Sequence, residues 1–489
     1  MQNFIFIFFA VYTAILFLVT WLTSRKATNE TYFTGNRKSP WYVVAYGMIG
    51  ASLSGVTFMS VPGDVANTNF TYFSVVIGYV IGYLVIAYIL LPLYYRLNLV
   101  SIYQYLGTRF NITAQKTGGL MFIISRLTGS ALRMYLVIFV MQIFIFDSWG
   151  IPIWATALFM IFIIFLYTFK AGIKTVVWTD MLQTTFMLVA MIISIYLIFK
   201  GMDISIKDTF RFLEDRGHTQ IFDMDWRSKT FYLKQILGGM FITITMTGLD
   251  QDMMQKNLTC KNLKEARKNM LTFSGTLVFV NALFLILGGL LIVYANQKGI
   301  DIQTLIANNQ TDKIFPTIAL NHLGLAAAAF FVIGLISAGY SSADGTFAAI
   351  TTSFCYDILN IEKWAKNEKQ KSIIRRLTHI GMSILFLAII LVFSQFHNDS
   401  LIRIIFTVAG YTYGPILGLF AFGMFSKREI KNDWYIPVIS VLTPVITFII
   451  AKFAPVVLNG YKLGFELIIL NGALTMLLLY LGSQKAIKS

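Results

Sequence analysis

Apolar stretches of about twenty residues recur along this chain from end to end, and nothing else constrains its fold as strongly. Each is long enough to cross the hydrocarbon core of a bilayer as a helix. In lipid, backbone amides and carbonyls must be satisfied within the protein, so only helices and closed barrels can span it. Continuous apolar runs, rather than a two-residue alternation, select helices. About thirteen such segments can be counted, with centres near 13, 51, 84, 133, 160, 188, 245, 283, 338, 386, 412, 442 and 472. Across 489 residues, 57% are hydrophobic and only 13% charged, leaving no long polar segment for a soluble domain. The expected fold class is an all-α polytopic membrane protein.

The formal net charge of +16 would suggest nucleic acid in a soluble chain. Here the bases sit in short loops between apolar spans, the positive-inside pattern, and no nucleic-acid partner is expected. With the N-terminus outside and the spans alternating, the inside loops hold Arg25, Lys26, Arg37 and Lys38, then Arg96, Arg109 and Lys116, then Lys170 and Lys174. Lys256, Lys261, Lys264, Arg267 and Lys268 follow, then Lys363 through Arg376, then Lys427, Arg428 and Lys431, with Lys485 and Lys488 in the tail. That is roughly 25 of the 39 basic residues on one side, and the C-terminus falls inside. The long outside loop at 201–232 balances its bases with Asp203, Asp208, Glu214, Asp215, Asp223 and Asp225. Phe4–Leu22 has no basic region before it and no A-x-A-like site, so it reads as a retained first span and not as a cleaved signal peptide. Cys260 and Cys355 lack metal-ligand spacing and are expected as free thiols near the inner face.

Two spans depart from plain helices. Gly47–Gly63 (GMIGASLSGVTFMSVPG) and Gly238–Gln255 (GGMFITITMTGLDQDMMQ) are rich in Gly, Ser and Thr and lie five apart in span order. Unwound backbone in a membrane is tolerated only where it lines a cavity. A matched pair of interrupted helices points to a transporter site at the repeat interface; close packing through small residues is the plainer reading of either alone. Charged residues deep in spans are expensive and usually functional. These are Arg126, Arg133, Asp180, Asp250, Asp252 and Asp344, with Arg403 near enough to a span end to snorkel. Arg126 could be structural, bonding carbonyls of a neighbouring helix. Arg133 either pairs with an intramembrane Asp or meets an anionic substrate. In the ninth span, Ala338, Ser341, Ser342 and Asp344 cluster within two turns and could supply the oxygens a hard cation such as sodium wants. Serines in membrane helices also serve as packing residues or bond back to the i−4 carbonyl.

Several separated stretches together resemble the sodium/solute symporters, the family of proline permease, bacterial sialic acid transporters and sodium/glucose cotransporters. They are GASLSGVTF at 50–58, SIYQYLGTRF at 101–110, AGIKTVVWTDMLQ at 171–183, LDQDMMQKNLTCKNLKEAR at 249–267, SAGYSSADG at 337–345 and YTYGPILGLF at 411–420. The resemblance implies a LeuT-like core of two inverted five-helix repeats after one extra helix. The expected parts are 1–24 as that extra helix, 41–200 as the first repeat and 201–232 as an extracellular or periplasmic loop. The second repeat is 233–426, and 432–489 holds two C-terminal helices and a short cytoplasmic tail. The resemblance implies a sodium site at Gly50, Leu53, Ala338, Ser341 and Ser342, with Gly50 standing where relatives often have Ala. Some relatives have a second sodium site at the Asp of the WTD motif, here Asp180. Asp344 and Gly345 replace the hydroxyls that would complete it, so Asp180 and Asp344 are expected to hold a second cation or a proton.

For the solute, the resemblance to glucose carriers fails: Val56 and Thr57 stand where those have a Glu-Gln pair, and Asp250 stands for their Asn. Thr407 falls near the substrate-contacting Gln of those glucose carriers, a further mismatch with them, whereas Ser52, Ser54, Thr57 and Arg133 resemble the sialic acid arrangement. This favours a carboxylate-bearing solute, while Asp250 could attract an amine or pair with Arg133. The expected function is sodium-coupled import of a small organic solute by a non-enzymatic carrier, a monomer sufficing, in a bacterial inner membrane. The rivals are a sugar or proline-type symporter and a proton-coupled carrier of the same fold. A sensor with a kinase module and an intramembrane enzyme are disfavoured, by the short tail after the last span and by the lack of an HExxH-type site among four His.

Overall fold

The computed structural model describes residues 2–25, 27–170, 172–202, 206–395, 401–430 and 432–485. Lys26, Ala171, Asp203, Lys431 and Lys488 lie outside the described residues, as do the side chains of Arg403 and Thr407.

Among the described residues the chain is helical throughout, apart from a clip in which Glu429–Ile430 pairs antiparallel with Ser483–Gln484. Nine helices are long and apolar enough to cross a membrane, and a bent pair raises the number to ten. Two shorter apolar helices, Ile153–Thr168 and Leu467–Leu481, accompany them. Large apolar side chains point outward from several of these, among them Phe159 and Phe162, Val445 and Phe448, and Val456. Apolar faces of that extent are incompatible with water and suit lipid.

At the centre runs Leu325–Ser353, buried at every position from Phe331 to Ser353. Its sequence explains this: Ala, Gly and Ser recur along it, so neighbouring backbones can approach closely on all sides. It packs against Ile173–Gly201, Ile112–Met141 and both halves of the bent pair.

That pair is Trp41–Ser52 and Gly55–Thr68, bent by 59° at Leu53–Ser54. Leu53 (φ −88°, ψ 45°) and Ser54 (φ −36°, ψ 172°) leave helical geometry. No proline sits at the break; Pro62 is about two turns further on. The second interrupted segment runs Tyr232–Thr243, then a wide π turn over Ile244–Gly248, then non-helical Leu249 and Asp250, then Gln251–Leu258. Asp250 ends the break as an N-cap, its carboxylate accepting from the Met253 amide at 3.1 Å. Both interruptions thus occur in the Gly/Ser/Thr-rich stretches. Cys260 and Cys355 are free and buried.

Candidate functional site

The break at Leu53–Ser54 exposes backbone oxygens that an intact helix would close. Among the described residues no amide completes an i+4 bond to the carbonyls of Gly50 or Leu53, while the flanking Ile49 and Ser54 carbonyls are closed by Leu53 and Phe58. Span packing brings this break against Leu325–Ser353. A Cβ on Gly50 would lie 3.3 Å from Ser341 Oγ and would run into Thr184 Oγ1. Glycine therefore sets the approach, and its amide donates to that same Thr184 Oγ1 at 3.0 Å. Ser342 Oγ is buried with no hydrogen-bond partner among the described residues, and it does not bond back along its own helix. Two unclosed carbonyls, an orphan hydroxyl, the Ser341 hydroxyl and the Ala338 backbone suit a hard monovalent cation, which takes oxygen ligands. Among the described residues no cluster of His, Cys, Asp or Glu suits a transition metal.

Beside the same break lies a cavity lined by Ser52, Leu53, Ser54, Thr57, Arg126 and Arg133, with Tyr72, Tyr79 and Tyr83. Its empty space, open mouth included, is about 740 Å³. It adjoins a larger vestibule through shared Tyr72 and Ile242; Asn67, Lys229, Thr230, Tyr411 and Lys462 line that vestibule. Four of the six expected solute residues, Ser52, Ser54, Thr57 and Arg133, thus share one cavity. Asp250 stands behind it, and the side chain of Thr407 is not described.

Beneath the cavity is a buried chain of charges. Lys256 Nζ lies 2.9 Å from Asp180 Oδ2 and 3.2 Å from Asp252 Oδ1. Arg126 pairs closely with Asp252 and sits 3.5 Å from Asp250 Oδ2. Tyr413 donates to Asp250 at 2.6 Å, and Ser341 Oγ donates to Asp180 Oδ1 at 2.5 Å. Arg126 Nε donates to Thr346 at 3.1 Å. Asp344 accepts from Tyr167, Thr179 and Gln183 and from the Gly345 amide.

Three expectations are corrected. Arg126, expected as a possible partner of helix carbonyls, makes carboxylate ion pairs. Asp250 pairs with Arg126 and not with Arg133, which makes no ion pair among the described residues. Lys256, counted among the inside-loop bases, is 1% exposed inside the protein. The i, i+4 spacing of Asp252 and Lys256 was the available signal for it. It was obscured because Lys256 opens a run of loop bases. Tyr413 had no signal of its own, since its partner comes from a distant segment.

A model of the sodium:solute symporter family matches residues 32–432. The chain is 26% identical over 449 residues to the sodium/sialic acid symporter NanT of Aliivibrio fischeri, covering 90% of this chain and 86% of that one. It is 24% identical over 458 residues to the sodium/sialic acid symporter SiaT of Proteus mirabilis, covering 91% and 89%. Among solved structures, a sodium-coupled sialic acid symporter in a substrate-bound outward-open state matches with a TM-score of 0.83 and 20% identity, over 99% of both chains. That likeness establishes a shared transporter fold. With the family model spanning most of its length, this chain is a multi-pass membrane protein that belongs to the sodium:solute symporter family.

Proposed function

We propose that this protein is a sodium-coupled symporter that imports a small carboxylate-bearing solute of the sialic acid class. One observation carries the reading: a single helix break presents cation-type oxygens beside an arginine-lined cavity. Sodium would be held by the carbonyls of Gly50, Leu53 and Ala338 and the hydroxyls of Ser341 and Ser342. Holding it ties the broken span to Leu325–Ser353, favouring the outward-facing form and preorganising the adjacent cavity. Arg133, without a carboxylate partner among the described residues, is the group for a solute carboxylate, since a guanidinium binds that group in bidentate fashion. Ser52, Ser54 and Thr57 would meet its hydroxyls. The names of the sialic acid symporters above support this choice of solute.

The same reading includes thirteen spans with the N-terminus outside and the C-terminus inside, in a monomer, in a bacterial cell membrane. The nine long helices, the bent pair, Ile153–Thr168, the interrupted Tyr232–Leu258 segment and Leu467–Leu481 support that count. The inverted repeats would occupy 41–200 and 233–426, each opening on its broken span. Asp180 and Asp344 are the groups for a second cation or a proton. Asp180 already faces an ammonium, so a second sodium would have to displace Lys256 or use Asp344.

Uptake of labelled N-acetylneuraminate into proteoliposomes tests the proposal. An inward sodium gradient should drive accumulation, choline at fixed pH should not, and a Ser341→Ala/Ser342→Ala double variant should lose the sodium dependence. Equal accumulation in choline with an inward proton gradient would assign the protein to the proton-coupled rival. Sodium-driven uptake of proline or glucose with none of N-acetylneuraminate would sink the solute assignment.

A further inference from the structure

We infer that the buried charges Asp180, Lys256, Asp252, Arg126 and Asp250 form an electrostatic relay. Through it, sodium bound beside Ser341 raises the affinity of the cavity for an anion, and this inference rests on the symport reading above. The five charges alternate in sign from one end to the other, each within 3.5 Å of the next. Three carboxylates against two cations give a formal net charge of −1. One end, Asp180, is bonded by Ser341 of the proposed sodium set. Towards the other end, Arg126 lines both the solute cavity and the smaller cavity that joins it to Tyr413. All five side chains are 4% exposed or less, so water does little to screen one from the next.

The direction of coupling follows from the order of the charges. A sodium ion at Ser341 competes with Lys256 for Asp180. Lys256 then leans on Asp252, its other partner, and Asp252 holds Arg126 less strongly. The guanidinium becomes available to a negative group in the cavity. A cation at one end thus favours an anion at the other without any contact between them, which is a coupling free energy between two sites and is reciprocal. Lys256 is a positioning residue in this scheme, touching neither ion nor solute.

The helix opposite is shaped to admit the relay. A Cβ on Gly345 would run into Asp252 Oδ1 and lie 2.8 Å from Lys256 Nζ. Glycine there lets the ammonium and the carboxylate meet against Leu325–Ser353 within reach of Asp180.

The test is N-acetylneuraminate binding to the purified full-length protein, in saturating sodium and in choline. Asp252→Asn is the informative variant. It leaves Asp180 with Lys256 and Asp250 with Arg126, two balanced pairs, so the fold is not left with an uncompensated charge. Wild type should bind at least about tenfold more tightly in sodium. Asp252→Asn should bind more tightly than wild type in choline, because Arg126 has lost its nearest partner, and its sodium effect should shrink to about twofold or less. Lys256→Arg, which keeps the cation, should retain the wild-type ratio. A merely structural role would weaken binding in both media and leave the ratio unchanged. Asp252→Asn with the full wild-type ratio would overturn the relay while leaving the symport reading intact. Wild type whose binding ignores sodium would overturn both.

Discussion

At the scale of single residues, the orphan oxygen of Ser342 and the paired ammonium of Lys256 should behave in opposite ways. Ser342→Ala removes a buried hydroxyl that has no partner to lose, so the thermal midpoint in sodium-free buffer should stay level or rise. The sodium concentration for half-maximal uptake should rise by about tenfold or more, a loss of about 1.4 kcal/mol. Lys256→Met leaves the buried Asp180 without its cation while Asp252 keeps Arg126, and should lower stability by about 3–5 kcal/mol. Thermal unfolding in detergent reads both. The serines were legible in the sequence because a Ser-Ser-x-Asp run is conspicuous in an apolar helix. The partners of Arg126 and Arg133 were not, because the two stand seven residues apart on one helix and differ only in what other spans bring against them.

At the scale of elements, the contact between the broken span and Ile173–Gly201 is set by Gly50 against Thr184. Gly50→Ala should destabilise the protein by about 1–3 kcal/mol, as overpacking does. Adding Thr184→Ala removes the obstructing oxygen, and thermal unfolding of the double variant should recover most of that loss. The loop at the vestibule rim has a different dependence. Partial burial pushes the Asp223 carboxyl up, but bonds from Thr230 Oγ1 and the Asp225 amide, aided by Ser228 and Lys234, hold it below the usual carboxylate range. A depressed folded value contributes stability above the unfolded one that disappears as pH falls through the folded value. The loop should therefore resist protease at neutral pH and become susceptible only below about pH 4. Limited proteolysis of 221–232 across a pH series checks this. Both broken spans were legible as Gly/Ser/Thr-rich stretches. The form of the second interruption, a wide turn at Ile244–Gly248, was not, since its Gly248 carbonyl meets Tyr94 from another span, which donates to it at 2.8 Å.

At the scale of the whole molecule, the vestibule gives a way to watch the carrier turn. Asn67 is exposed there, so an Asn67→Cys variant should react faster with an external thiol reagent in sodium than in choline. The two natural cysteines are buried and should contribute little background. Adding Ser342→Ala should move the sodium effect to about tenfold higher sodium; equal labelling rates in sodium and choline for the single variant would contradict sodium stabilisation of the outward form. Hydropathy and loop charge made the helical membrane architecture legible from the sequence, because bilayer thickness sets span length and leaves few alternatives. The internal charge network was hidden, because pairing across three segments depends on how the spans are stacked. The unpaired Ser342 oxygen bears on the empty carrier as well. With no ion bound, its burial costs this packing of the two helices about 1–3 kcal/mol. Separation of the two helices on the inner side would let water reach it and lift that penalty. An unloaded molecule would then rest facing the cell interior, and external sodium would act by catching its brief excursions outward. A single oxygen atom would in this way set the idle position of the carrier and its turnover when sodium is scarce.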